Sequence, residues 1–195
     1  MRITKNFSFW EFGPRGCAHN WVPDNEHQKM LVEDLALNLQ KLRNEANRIR
    51  KANVSIYISS GIRSIADHYR LQGAGFNPAE TSDHFFGVSV PVIKGGKHHL
   101  KFGDTYNFSV GAADCIISGM NTMAFSRMAM EEHREGVVQF GQIIYEKNPV
   151  KKSEWVHLSN AYGNYFSDRI VSWLNKTPFL QSLDGGISYQ VANVK

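Results

Sequence analysis

Apolar residues recur at Leu31, Leu35, Leu39, Leu42, Ala46 and Ile49, in steps of three and four that place them on one face of a helix. With Asp24 and Asn25 available as caps, the spacing predicts a helix over 24–52. Residues 54–58 alternate instead and are rich in β-formers, which predicts a strand running into Ser59-Ser60-Gly61. A second helix is expected over 64–74. Further along, 112–117 reads as an apolar strand and 121–135 as a helix carrying Met123, Met128 and Met130. Two more strands are expected at 137–145 and 155–158, and a short last helix at 168–174.

The stretches between these elements are informative too. The start NFSFWEFG is aromatic-rich and is followed by Pro14 and Gly16, the pattern of an irregular segment laid across a core. After the second helix come the loop FNPAETSD, a β-like run over 85–93, a turn at Gly95-Gly96, and strand-like stretches around 99–102 and 106–110. That pattern predicts a hairpin excursion. Residues 177–195, with Gly185-Gly186, read as a C-terminal tail too short for a domain. Neither a repeat nor a linker divides the chain, so the expectation is a single α+β domain over 1–195. Its helices would pack on a small, largely antiparallel sheet.

Composition narrows the class. The length of 195 residues suits about one domain, and 42% hydrophobic with 21% charged residues excludes wholesale disorder, collagen and coiled coil. No run of about 18 apolar residues occurs, and the opening MRITKNFSFWEF lacks the apolar stretch of a signal peptide. Synthesis in the cytoplasm without a Sec signal and no membrane partner are therefore expected. The net charge of +4 favours an anionic partner. The densest basic cluster, Lys41, Arg43, Arg48, Arg50 and Lys51, reads as a solvated helix end, so nucleic acid is not the expected partner. Bacterial cell wall, with its carboxylates and phosphates, satisfies the same sign. Cys17 and Cys115 are too few and too far apart for a disulfide scaffold or a thiolate zinc site, and Cys115 in AADCII reads as a small buried hydrophobe.

The eight histidines, at 19, 27, 68, 84, 98, 99, 133 and 157, hold the candidate chemistry. His84 lies where a polar loop enters a strand, with Gly87 free to turn the backbone. His157 is embedded in a short apolar strand, and Asp114 is a carboxylate in another. Burying either without a partner is costly, and a metal would supply one. Two imidazoles and a carboxylate leave the fourth tetrahedral position open, the arrangement of a catalytic zinc site. Glu154, three residues before His157, is the first candidate for general base. Residues three apart on a strand face opposite ways, so this requires Glu154 to lie on a turn before the strand. Glu146, ending QIIYE, is the second candidate, and Glu154 also reads as a solvent-facing acid beside Lys151 and Lys152.

Taken in order, Ser60-Gly61-Ile62-Arg63-Ser64, Ser82-Asp83-His84-Phe85-Phe86-Gly87, Ala112-Ala113-Asp114, Gln142-Ile143-Ile144-Tyr145-Glu146 and Trp155-Val156-His157-Leu158-Ser159 resemble the zinc D-Ala-D-Ala carboxypeptidases and the related phage and bacterial peptidoglycan endopeptidases. These are the LAS-type metallopeptidases, with the pattern S-G-[YF]-R-S, S-x-H-x-x-G-x-A-x-D and a closing W-x-H or E-x-x-H. The segment 6–12 also looks like the opening of the phage-type subgroup, and the resemblance spans about residues 6–160. It implies a LAS-like fold, with His84, Asp114 and His157 as ligands to Zn2+ and Glu154 as the acid/base. Arg63 would pair with a substrate carboxylate or steady the developing oxyanion, and Ser82 would hydrogen-bond substrate. The implied activity is cleavage of a peptidoglycan stem peptide, as a D,D-carboxypeptidase or an endopeptidase. A phage endolysin released by a holin, a tail-associated enzyme among phage particle components, or a host enzyme would each fit.

The chain departs from the pattern in one large way. The family's aspartate falls seven residues after the first histidine, where this chain has Pro91, and Asp114 comes 30 residues after His84. The reading is an inserted hairpin over 88–110; otherwise Asp83, Asp104, His98 or His99 would be the third ligand. Asp83 and Ile62 also replace the residues usual at their places. A catalytically silent LAS-like domain that binds wall or braces a phage assembly is the alternative expectation.

Overall fold

The structure is a computed structural model that describes residues 1–76, 78, 82–86, 110–161, 179–182 and 190–191. Among the described residues, three helices, α1 (Glu26–Arg50), α2 (Ile65–Gly73) and α3 (Thr122–Arg134), accompany six strands: β1 (Ser55–Ser60), β2 (Ala112–Ser118), β3 (Phe140–Asn148), β4 (Ser153–Asn160), β5 (Phe179–Ser182) and β6 (Gln190–Val191). The strands form one sheet in the order β1-β2-β4-β3-β5-β6. The first four pair antiparallel, β5 runs parallel to β3, and β6 returns antiparallel to β5. The α+β class expected from the sequence is what the chain adopts.

Helix α1 begins where its cap predicts. The side chain of Asn25 accepts from the backbone N–H groups of His27 and Gln28, satisfying two donors that have no partner inside the helix. Leu31, Leu35, Leu39, Leu42 and Ala46 are fully buried, whereas Ile49, expected on the same face, is half exposed near the helix end. The buried stripe packs with Phe125, Met128 and Met130 of α3 against Ala113, Cys115, Ile117, Ile143, Val156 and Leu158. Burying each such leucine stabilises the fold by roughly 1.5–3 kcal/mol. This alternation gives the sheet an apolar face under α1 and α3, and turns the intervening residues of β2, β3 and β4 to the other face.

The aromatic start anchors as expected. Phe7, Phe9 and Phe12 are buried, and Phe9–Phe12 form a short 3-10 turn closed by a reciprocal Ser8 and Glu11 capping box. The expected cationic cluster is largely engaged within the molecule: Lys41 donates to the Val137 carbonyl, Arg43 to the Val54 carbonyl, and Arg48 pairs with Glu45. Residues 88–109 of the expected hairpin and the expected helix at 168–174 lie outside the described residues. The chain at Gly111 has nonetheless returned beside Phe86, whose ring occupies the space a Cβ at Gly111 would need. Part of the segment read as a tail, 179–182 and 190–191, belongs to the sheet as β5 and β6.

Candidate metal centre

Asp114 on β2 and His157 on β4 are direct cross-strand partners, so both side chains leave the same face of the sheet, opposite the apolar core. His84 comes from another direction, on a 3-10 turn (Asp83–Phe85) whose cap is Ser82. His84 Nε2 lies 3.2 Å and His157 Nδ1 3.0 Å from the same oxygen, Asp114 Oδ1. The two rings meet edge to face with centroids 5.0 Å apart. His84 and His157 are buried, and the three ligand atoms lie within 4.8 Å of one another. The structure thus brings together all three residues expected to hold a metal.

The donor set fits an ion. Four ligands at 2.0–2.1 Å on a tetrahedron are roughly 3.4 Å apart, close to the spacings found here. His84 Nδ1 is 2.8 Å from the Gly61 carbonyl, which can only accept. The Nδ1 proton therefore points at Gly61, and in the neutral ring Nε2 turns its lone pair toward the Asp114 oxygen. Two acceptors facing each other repel unless a proton or a cation stands between them. A buried His84-Asp114-His157 group of this geometry can hold a metal ion.

Charge in the cluster is shared unequally. Burial by itself would raise the Asp114 pKa, but His84 and His157, which when protonated set positive charge and N–H donors against it, hold the carboxyl well below its ordinary range. Burial lowers His84, with the Arg63 charge adding to it and Asp114 opposing. His157 moves the other way. Burial lowers it, but its hydrogen bond to Asp114, the Asp114 charge and the charges of Glu146 and Asp83 together raise it.

The cluster forms part of the lining of a cavity of about 840 Å³ between the free face of the sheet, the N-terminal segment and α2. Arg63 and Ser82 line it as well. The Arg63 backbone N–H donates to the His84 carbonyl at 2.8 Å, and its Nη1 donates to Ser82 Oγ at 3.2 Å. Asp83 also faces the cavity but does not join the three converging ligands, while His98, His99 and Asp104 lie outside the described residues.

Glu154 is not brought to the cluster. Strand β4 begins at Ser153, so Glu154 stands inside the strand rather than on a turn before it, and three residues of strand separate its direction from that of His157. It pairs with Lys147 across the sheet and accepts a 2.6 Å hydrogen bond from the Tyr145 hydroxyl. Of the two glutamates expected as general base, Glu146 lines the cavity, buried on β3 opposite Trp155 and one alternation from Ile144, the partner of His157. The signal for it was the alternation in QIIYE, which puts Gln142, Ile144 and Glu146 on one face.

Comparison of the chain with protein-family models, with curated proteins and with solved structures finds no match. Among the described residues, no helix is long and apolar enough to cross a membrane.

Proposed function

We propose that the protein is a zinc-dependent hydrolase of LAS type that cuts a peptidoglycan stem peptide. The observation that carries this reading is the Asp114 oxygen faced by the buried His84 Nε2 and His157 Nδ1, in a cavity also lined by the Arg63 guanidinium and the Glu146 carboxylate. Zinc suits two imidazoles and a carboxylate, and when bound it supplies Lewis acidity to a carbonyl and to water. The chain's own groups do the rest. Glu146 takes the proton from the attacking water and passes it to the amine nitrogen as the C–N bond breaks, which releases a carboxylate and an amine. Arg63, steadied by Ser82, orients a substrate carboxylate or stabilises the oxyanion. Ser82 accepts from both Arg63 and the His84 N–H, so its hydroxyl proton is the donor it can offer to substrate.

Purified peptidoglycan digested with the zinc-loaded protein and resolved by mass spectrometry tests the proposal. Release of single D-Ala residues would mark a carboxypeptidase, and separation of longer stem fragments an endopeptidase. A protein that binds zinc stoichiometrically and releases neither would overturn the hydrolase reading in favour of a silent wall-binding or phage structural domain.

A further inference from the structure

Gly61 follows β1 directly, and the segment 61–63 grips His84 twice. The Gly61 carbonyl accepts from the His84 ring at 2.8 Å, and the Arg63 N–H donates to the His84 carbonyl at 2.8 Å. Behind this segment lies the 3-10 turn Phe9–Phe12. The Ile62 N–H donates to the Phe12 carbonyl at 2.7 Å, and a Cβ on Gly61 would collide with the Phe12 backbone rather than with any movable side chain. The turn cannot easily yield, because Phe9 and Phe12 are buried and the Ser8 and Glu11 capping box closes it. From this packing we infer that Gly61 is a positioning residue for the metal. Its carbonyl fixes His84 in the Nδ1–H form that aims Nε2 at Asp114, and the Phe9–Phe12 turn sets where that carbonyl stands.

The inference rests on the reading of His84 as a ligand. It makes an aromatic turn some 50 residues upstream of Gly61 part of what orients the centre. Orienting partners of ligating histidines are typically worth about 10–100-fold in metal affinity. Gly61→Ala should therefore bind zinc about 10–100-fold more weakly in competition with a chromophoric chelator, and its Co2+ absorption bands should shift. Gly73→Ala, at a helix end with open space where the new Cβ would stand, should match the wild type in both. Nitrogen-15 correlation spectra of the metal-free wild type should show His84 as the Nδ1–H tautomer, with that signature lost in Gly61→Ala.

Wild-type affinity and cobalt spectrum in a folded Gly61→Ala protein would overturn the inference. So would an Nε2–H tautomer in the wild type, a result that decides the matter even if the variant does not fold. A wild type with the stated tautomer that binds no zinc would instead refute the metal reading and the role of Gly61 in it, leaving the hydrogen bond itself intact.

Discussion

Exchanging each of two glutamates for glutamine separates the two candidates for the proton-transferring acid. Glu146 lines the cavity beside the cluster, whereas Glu154 accepts from Tyr145 on the other side of the sheet. A positioned general base contributes about 10²–10⁴ in rate, so Glu146→Gln should slow hydrolysis by that factor, or roughly 3–5 kcal/mol of barrier, with zinc retained. Glu154→Gln swaps a charged acceptor for a neutral one in a 2.6 Å bond. Charge-assisted hydrogen bonds contribute about 1.5–3 kcal/mol and neutral ones about 0.5–1.5, so the loss should be near 1 kcal/mol of stability. For a domain of this size that lowers the melting temperature by about 2–4 °C. Its hydrolysis rate should stay within about twofold of wild type. Rates on purified peptidoglycan, zinc content and thermal unfolding of both variants form the assay. Hydrolysis abolished in a folded, zinc-bound Glu154→Gln protein, with Glu146→Gln fully active, would refute the argument from strand faces.

If the centre holds zinc as proposed, protons compete with the metal for His157, whose pKa burial would lower but its contact with Asp114 raises. Zinc affinity, measured by chelator competition, should be greatest in mildly alkaline solution and fall by about tenfold per pH unit once His157 is protonated. Asn160 donates to the Leu31 carbonyl and to Asp34, and accepts from the Gly111 N–H, tying the end of β4 to α1 and to the start of β2. Asn160→Ala leaves buried backbone groups unpaired and should cost about 3 kcal/mol in urea unfolding. His133 Nδ1 accepts from the Phe140 N–H and can do so only when unprotonated. Its folded pKa is lowered, by burial first and then by the Arg134 charge. The contribution is therefore complete above the ordinary value of about 6.5 and is lost as pH falls through the folded value. The urea midpoint should drop between about pH 7.5 and pH 5, and His133→Asn, which keeps an acceptor but does not titrate, should flatten that drop.

Regular periodicity was the most legible part of the fold. The three-and-four spacing of leucines located α1 to within two residues at each end, because a long apolar stripe has only one way to face a sheet. The ligand set was legible for a related reason. A histidine and an aspartate inside apolar strands are costly there unless they share a partner, and the β2–β4 register makes Asp114 and His157 neighbours. What a short sequence window does not encode is where a strand begins. Strand β4 starts two residues earlier than its apolar run, because Ser153 and Glu154 are held by pairing with β3 rather than by their own β-propensity. That shift turned Glu154 to the wrong face. The parallel docking of β5 on β3 was equally hidden, since it depends on a contact between segments more than 30 residues apart.

Elemental analysis of the purified wild type beside Asp114→Ala shows whether His84, Asp114 and His157 hold a metal. Asp114 Oδ1 is the atom on which both imidazoles converge, so its removal should leave a folded protein that no longer retains metal. About one zinc per wild-type chain and essentially none in the variant is the expected result. A wild type purified without chelator that contains no metal, or a variant that keeps its full complement, would contradict the assignment of these three residues as ligands.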